Sequence, residues 1–328
     1  MAIEDQVKVD SGFPPRTDGA EVIKGIDLAG KTAIVTGGYS GIGLETVRAL
    51  ADAGVAIIVP ARNREKAQTA LADIGGDVRI EDMDLGDIAS VRVFAAKMTG
   101  ALDSLDLLIN NAGIMACPES RVGPGWEAQF GTNHLGHFAL TKGLMPLLEK
   151  TPGARVVALS SIAHRRSGIR WDDIHFENDD YEKWEAYGQA KTANALFANA
   201  LSRRLAPTGG LAFSVHPGGI FTPLQRHLPK EEMIALGWLD EDGELSAMAK
   251  AGFKTPEQGC STTLWAATNP KLEGKPGVYC EDCDIATLDD SDERRFAGVK
   301  SWACDDEAAE RLWAVSEEML ARSKEKKV

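Results

Sequence analysis

T-A-I-V-T-G-G-Y-S-G-I-G-L-E-T, residues Thr32 to Thr46, decides the fold of this chain. Thr32 to Thr36 is a short β-branched run that reads as a buried strand. It enters a glycine turn, and Ile42 to Ala53 then carries the apolar period of a helix. Strand, glycine turn and helix in that order raise a glycine motif above chance. Gly37, Gly41 and Gly43 let the backbone approach a pyrophosphate, and the helix N-terminus offers it free N–H groups and positive dipole. The spacing is T-G-x-x-x-G-x-G rather than G-x-G-x-x-G; a tight turn without a ligand is the plainer alternative.

Working outward, the same unit repeats. Strands are expected at Val55–Val59, Val78–Glu81, Leu105–Ile109, Arg155–Leu159 and Ala212–Val215. Helices are expected at Arg64–Asp73, Asp87–Thr99, Trp126–Lys150 with a bend near Pro146, and Glu185–Leu205. Alternating β and α at this spacing argues an α/β fold, a single doubly wound domain with a parallel sheet and helices on both faces. Residues 1–28 read as an N-terminal extension with a short helix, Ala20 to Lys24, that Thr17 could cap. Residues 29–328 read as the doubly wound domain, with a helical lid at 221–254 and a C-terminal helix at 300–328.

Three further stretches carry chemistry. L-D-L-L-I-N-N-A-G-I-M (Leu105 to Met115) and R-V-V-A-L-S-S (Arg155 to Ser161) are apolar strands ending in small polar residues. In α/β proteins ligands bind outside the carboxyl ends of strands. A-Y-G-Q-A-K-T (Ala186 to Thr192) places Tyr187 and Lys191 at i and i+4, on one helix face. A neighbouring ammonium favours phenolate, so the pair is expected to lower the Tyr187 pKa and make a proton donor and acceptor usable near neutrality. Such a pair alone is most often a solvated surface pair.

Together these residues resemble the short-chain dehydrogenase/reductase family, and the match covers nearly the whole chain. The motifs are the turn Gly37 to Gly43, Asn110-Asn111-Ala112-Gly113, Asn133, the serine ending the fifth strand, and Y-x-x-x-K at Tyr187 to Lys191. Thr17 to Lys31, Gly125 to Phe138, Ser160 to His164 and Glu307 to Glu317 are similar to retinol dehydrogenases and to the catalytic domain of the WW-domain oxidoreductase. The resemblance implies a Rossmann domain with a seven-stranded sheet in the order 3-2-1-4-5-6-7, its last strand near Gly277–Tyr279. It implies a catalytic set of Asn133, Ser161, Tyr187 and Lys191. Ser160 competes with Ser161, because adjacent strand residues point to opposite faces; the family pattern favours the second serine. It further implies cofactor contacts from Gly37, Tyr39, Ser40, Gly41, Ile42, Gly43, Asp84, Leu85, Asn111, Ala112, Gly113, Tyr187, Lys191, Pro217, Gly218, Ile220 and Thr222.

Cofactor choice is read after the second strand, in V-P-A-R-N-R-E-K-A (Val59 to Ala67). An NAD site usually places an acid there for the ribose 2′-hydroxyl. Ala61 stands in its place and Arg62 follows, with a planar fork suited to a 2′-phosphate. NADP(H) is therefore the expected cofactor and NAD(H) the alternative. The lid supplies Met233, Ile234, Leu236, Trp238, Leu239, Met248 and Phe253 and no obvious arginine for a carboxylate. A small hydrophobic alcohol, aldehyde or ketone is the expected substrate. The competing reading is a catalytically silent NADP(H)-binding regulatory protein.

A net charge of −13 argues against nucleic acid and anionic membranes as partners. No apolar run approaches the ~20 residues that cross a bilayer, and the N-terminal residues lack the apolar core of a signal peptide. Cytoplasmic location is the expectation, and five cysteines fit it. Cys280-Glu-Asp-Cys283 has no second pair with which to complete a metal site, so none is expected. Tyr181 is a decoy for Tyr187, with Glu185 four residues on. His164, His175 and His216 read as structural. Relatives pair through long helices, which implies a homo-oligomer unless the tail from Asp305 to Lys324 covers that surface.

Overall fold

The computed structural model describes residues 2–291, 293 and 296–325. Its strands are β1 (Thr32–Val35), β2 (Ala56–Ala61), β3 (Val78–Asp82), β4 (Leu107–Asn110), β5 (Arg155–Leu159), β6 (Leu211–His216), β7 (Tyr279–Glu281) and β8 (Asp284–Ile285). They form one sheet in the order β3-β2-β1-β4-β5-β6-β7-β8. The first seven run parallel in the expected order.

The eighth is an addition to the expectation, antiparallel to β7. The turn between them has positive φ at Asp282 (48°) and Cys283 (56°). Two-residue hairpins need that geometry and usually recruit Asn-Gly for it. E-D-C-D carries no such signal, and here the Cys283 N–H is pinned on the Thr262 hydroxyl at 3.1 Å.

The main helices are α1 (Gly41–Asp52), α2 (Arg64–Leu71), α3 (Ile88–Ala101), α4 (Gly136–Lys150), α5 (Lys183–Leu205), α6 (Ser261–Thr268) and α7 (Asp306–Glu325). The pleat sorts each strand between two cores. On β5, Val156 and Ala158 join α3, α4, α5 and α7, while Val157 and Leu159 join α1, α2 and α6. α5 is buried without interruption from Ala186 to Ser202, enclosed rather than amphipathic. The C-terminal α7 lies against it: Trp313 stacks on Phe197 at 6.0 Å and meets Phe138 edge-on at 4.8 Å. The tail thus covers part of α5.

One local expectation fails. Thr17 does not cap the short helix, which is Gly19–Val22; its hydroxyl donates to the Pro14 carbonyl, locking the preceding turn instead. Pro146 lies within α4, and the interruption comes earlier, as a π-helical turn at Gly131–Leu135. Trp126 and Glu127 pair with Arg121 and Val122 as a small ribbon, and Glu127 caps the Gln129 and Phe130 N–H groups at 2.9 and 2.7 Å.

Candidate active site

Apart from Asn133 and the Tyr187–Lys191 pair, which lie on helical segments, the motifs leave the sheet at carboxyl ends. The glycine turn follows β1, Arg62 follows β2, Asp84 and Leu85 follow β3, Asn111 to Gly113 follow β4, Ser160 and Ser161 follow β5, and Pro217 to Thr222 follow β6. Parallel strands bring these loops to one side, and they line a cleft of about 1180 Å³. Of the expected catalytic and cofactor residues, Gly43 and Asn133 alone do not line it; both stand directly behind the lining.

The turn after β1 requires its glycines. Gly41 has φ +52°, and a Cβ on Gly43 would sit 2.3 Å from the Gly37 carbonyl oxygen and 2.4 Å from Asn111 Nδ2. Asn111 is the prop of this turn: its amide donates to the Thr36 carbonyl at 2.9 Å. The Thr36 hydroxyl receives the Asn111 and Ala112 N–H groups at 2.9 and 3.0 Å and meets His137 Nε2 at 2.8 Å. Thr36 and His137, passed over in the sequence, therefore fasten β1, β4 and the π-helical turn together. The result is a backbone cradle where an added methyl group has no room, which fits close approach of a dinucleotide phosphate. Arg62, which lines this end, makes no hydrogen bond or ion pair with the described residues, while its neighbour Arg64 pairs with Asp82 at 2.9 Å.

At the other end the catalytic candidates converge. Alternation on β5 turns Ser160 toward α5, where its hydroxyl donates to the Lys191 carbonyl at 2.8 Å. Ser161 faces the cleft, its hydroxyl accepting the Ala163 N–H at 3.2 Å, and it lowers the pKa of the nearby Tyr187 phenol. Lys191 Nζ lies 5.5 Å from the Tyr187 ring centre and donates to the Leu159 carbonyl at 2.9 Å. Asn133 clamps the β4 loop from behind, accepting the Ile114 N–H and donating to the Ile114 carbonyl, both at 2.9 Å. A side chain that bonds another loop rather than its own helix goes with a backbone that departs from α geometry here.

The expected acidification of Tyr187 is not what the structure gives. Burial raises its pKa above the ordinary tyrosine value, against a lowering contribution from Ser161. Burial likewise brings Lys191 down to about 8. Desolvation wins because both groups are enclosed in α5 rather than placed on a wet helix face. Tyr187 is thus a proton-carrying phenol at neutral pH.

Other candidates resolve plainly. Tyr181 faces buried Glu127, not Glu185, which pairs with Arg170; burial and then Glu127 raise its pKa. His175 and His216 accept backbone N–H groups from Glu127 and Gly218, each at 3.4 Å. Cys280 and Cys283 are buried thiols whose pKa values desolvation raises. On the substrate side, Leu236, Trp238, Met248 and Phe253 line the cleft, whereas Met233 packs into a small apolar cluster beside Tyr187 and Leu239 is buried. Trp184, unsuspected in the sequence, stands edge-on between Tyr187 and Trp238 at 6.3 and 6.1 Å. Arg166 lies over its ring at 5.4 Å and, with Arg226, reaches the cleft. Neither arginine belongs to an apolar pattern, so nothing in the sequence marked them.

Comparison with known proteins gives the family. A family model described as short chain dehydrogenase matches residues 31–233. A Streptomyces lividans protein named "Probable oxidoreductase" is 44% identical over 302 residues, spanning 90% of this chain and 99% of that relative. Retinol dehydrogenase 12 of Mus musculus is 37% identical over 300 residues, spanning 90% and 88%. Among solved structures, an uncharacterised Mycobacterium paratuberculosis protein superposes with a TM-score of 0.68 at 32% identity, over 90% of this chain and 96% of that one. A Pseudomonas aeruginosa RhlG/NADP active-site complex matches with a TM-score of 0.59 at 25% identity, over 78% and 95%. No described helix is long and apolar enough to cross a membrane. The chain belongs to the short-chain dehydrogenase/reductase family, whose members bind NAD(P)(H), and within it to the retinol dehydrogenase branch: it is an oxidoreductase acting on CH–OH groups.

Proposed function

We propose that this protein interconverts a hydrophobic alcohol and its aldehyde or ketone with NADP(H), using Tyr187 as the acid and base. The observation that carries the reading is the convergence of Ser161, Tyr187 and Lys191 on one cleft, with Lys191 Nζ 5.5 Å from the Tyr187 ring centre. Two hydroxyls facing one cleft can grip one substrate oxygen. Ser161 hydrogen-bonds that oxygen and steadies its developing charge. Tyr187 donates its proton to it in reduction and takes one back in oxidation. Lys191, charged below about pH 8, sits beside the ring whose oxygen gains negative character as the proton leaves. Asn133 holds the β4 loop against the π-helical turn and so fixes the wall opposite Tyr187.

The cofactor, when bound, supplies or accepts the hydride. Gly37, Tyr39, Ser40, Gly41 and Ile42 would hold its pyrophosphate, with Gly43 behind them. Asp84 and Leu85 would hold the adenine, Asn111 to Gly113 the adjoining sugar, and Pro217, Gly218, Ile220 and Thr222 the nicotinamide amide. Preference for the 2′-phosphate is supported by Ala61 where an acid would repel it, and by the unpaired fork of Arg62. Trp184, Trp238 and Phe253 give the substrate end an aromatic wall, which supports a hydrophobic substrate.

The test is NADPH oxidation across aromatic, polycyclic and aliphatic carbonyls, with Tyr187→Phe in parallel. Turnover by the wild type and its loss in Tyr187→Phe, with NADPH binding retained, is the expected result. NADPH binding without turnover of any carbonyl would favour a silent cofactor-binding protein instead. Activity confined to charged sugars would reject the hydrophobic substrate class.

A further inference from the structure

The backbone carbonyl of Ser161 accepts the His164 N–H at 3.0 Å, closing the 3-10 turn that follows β5, and is held besides by two buried side chains, one from that turn and one from β7. His164 Nδ1 meets it at 2.7 Å, and the Tyr279 hydroxyl donates to it at 3.1 Å. The other imidazole nitrogen, Nε2, receives the Lys300 N–H at 3.1 Å. These partners fix the tautomer. A backbone N–H only donates, so Nε2 carries no proton; a carbonyl only accepts, so Nδ1 carries it. The ring is therefore neutral and directional, with one face of its chemistry toward the serine and the other toward the chain after β8. Burial, which brings its pKa down to about 4, keeps it so. The His164 carbonyl is tied as well, accepting from the Thr192 hydroxyl at 3.1 Å and from Trp302 Nε1 at 3.2 Å.

We propose that His164, through Nδ1–H, and Tyr279, through its hydroxyl, are positioning residues that set the Ser161 hydroxyl against Tyr187 by fixing the Ser161 carbonyl. Neither side chain touches the reacting atoms; each acts through the serine. The Lys300 N–H is the outer end of the same chain of bonds, so the segment at 299–302 helps fix the catalytic serine from the far side. A shift of about 1 Å at such a group costs on the order of 10²-fold in rate. The inference rests on the reading of Ser161 as the residue that binds the substrate oxygen.

The test separates the two nitrogens. Asparagine places an N–H near the Nδ1 position, and glutamine places a polar atom near Nε2. In the purified full chain, His164→Asn keeps kcat within about threefold, whereas His164→Gln and His164→Ala lose about 10- to 100-fold in kcat, on the scale of such a misplacement, with the KM for NADPH unchanged. Tyr279→Phe, nearly isosteric, gives a smaller loss of the same kind. A readout that mere destabilisation would not move is the pH profile of alcohol oxidation. Ser161 lowers the Tyr187 pKa, so releasing the serine moves the rising limb to higher pH in His164→Gln and in Tyr279→Phe. Equal rates in the asparagine and glutamine variants, or a limb that stays in place, overturn the proposal. Ser161→Ala is the control: full activity there defeats the reading of the site itself, while its loss beside a fully active His164→Gln defeats this inference alone.

Discussion

Lys191 Nζ donates to the Leu159 carbonyl at 2.9 Å, tying the buried middle of α5 to the last residue of β5. The ammonium is thus fixed one residue before the two serines and beside the Tyr187 ring. Burial has brought its pKa down to about 8. A charged Lys191 eases proton loss from Tyr187, so the expected kcat/KM for carbonyl reduction falls as pH rises through about 8. In Lys191→Arg the fall moves well above pH 10, because guanidinium stays protonated, although the bulkier group slows the reaction throughout. A wild-type profile flat from pH 6 to 10 would show that this amine does not govern the step.

The proposed preference for NADP(H) rests on Arg62. A charge-assisted hydrogen bond contributes about 1.5 to 3 kcal/mol, which is about 10- to 100-fold in affinity. Arg62→Ala should raise the KM for NADPH by that factor and leave the KM for NADH within about twofold. Equal effects on both cofactors would place Arg62 outside the phosphate site.

Asn133 joins the π-helical turn to the β4 loop through two bonds of 2.9 Å to Ile114. Alanine there leaves a partly buried N–H and carbonyl unpaired, at a cost of about 1 to 3 kcal/mol for each group. Asn133→Ala should lower the melting temperature and kcat together. Asn133→Asp keeps an acceptor for the Ile114 N–H but sets a carboxylate oxygen against the Ile114 carbonyl, so it should recover little. A variant with wild-type melting and rate would mean the clamp is dispensable.

What the sequence could show, and what it could not, divides along physical lines. The β1 turn, the β5 serines and the Tyr187–Lys191 spacing are local patterns, and each stands where its pattern put it. Sign and strength of the Tyr187 shift were beyond reach, because they depend on the β4 loop, the turn after β5 and residues 224–238 packing round it, a long-range event that turns a wet pair into a dry one. Thr36 and His137 were missed for the same reason: their bonds cross between β1, β4 and α4. Arg166 ends the short turn after β5 and Trp184 sits in the first turn of α5, and no apolar period marks either. The β7–β8 hairpin was hidden because tertiary bonds, not turn residues, hold its strained corner.

The lid is latched to the catalytic helix by one carboxylate. Glu232, in the lid helix Lys230–Ala235, accepts the Trp184 indole N–H at 2.9 Å and pairs with Lys183. Both partners sit at the first turn of α5, so the lid's aromatic wall is fixed relative to Tyr187. Partly exposed pairs of this kind contribute little to global stability, so Glu232→Ala should barely change melting. It should instead raise the KM for carbonyl substrates several-fold with kcat and the KM for NADPH nearly unchanged. A loss confined to kcat would point to the chemistry rather than to the substrate wall.

Four enclosed histidines should make the fold acid-sensitive well above the carboxylate range. Burial holds His134 and His216 at about 3, and His137 and His164 at about 4, against the ordinary 6.5. A depressed folded pKa means that the unfolded chain binds the proton first. Their contribution is complete above pH 6.5 and is lost as pH falls toward 4, by up to about 1.4 kcal/mol per pH unit for each proton. Glu127 and Glu281 work the other way: burial raises their pKa values, so the folded state gains from their protonation. Two carboxyls cannot offset four imidazoles over the same window. Melting temperature should therefore drop steadily from pH 6.5 downward, and constant melting between pH 7 and 5 would contradict the assignment. Because His137 Nδ1 bonds the Asn133 carbonyl and His164 Nδ1 the Ser161 carbonyl, activity should disappear along the same curve as the fold, not before it.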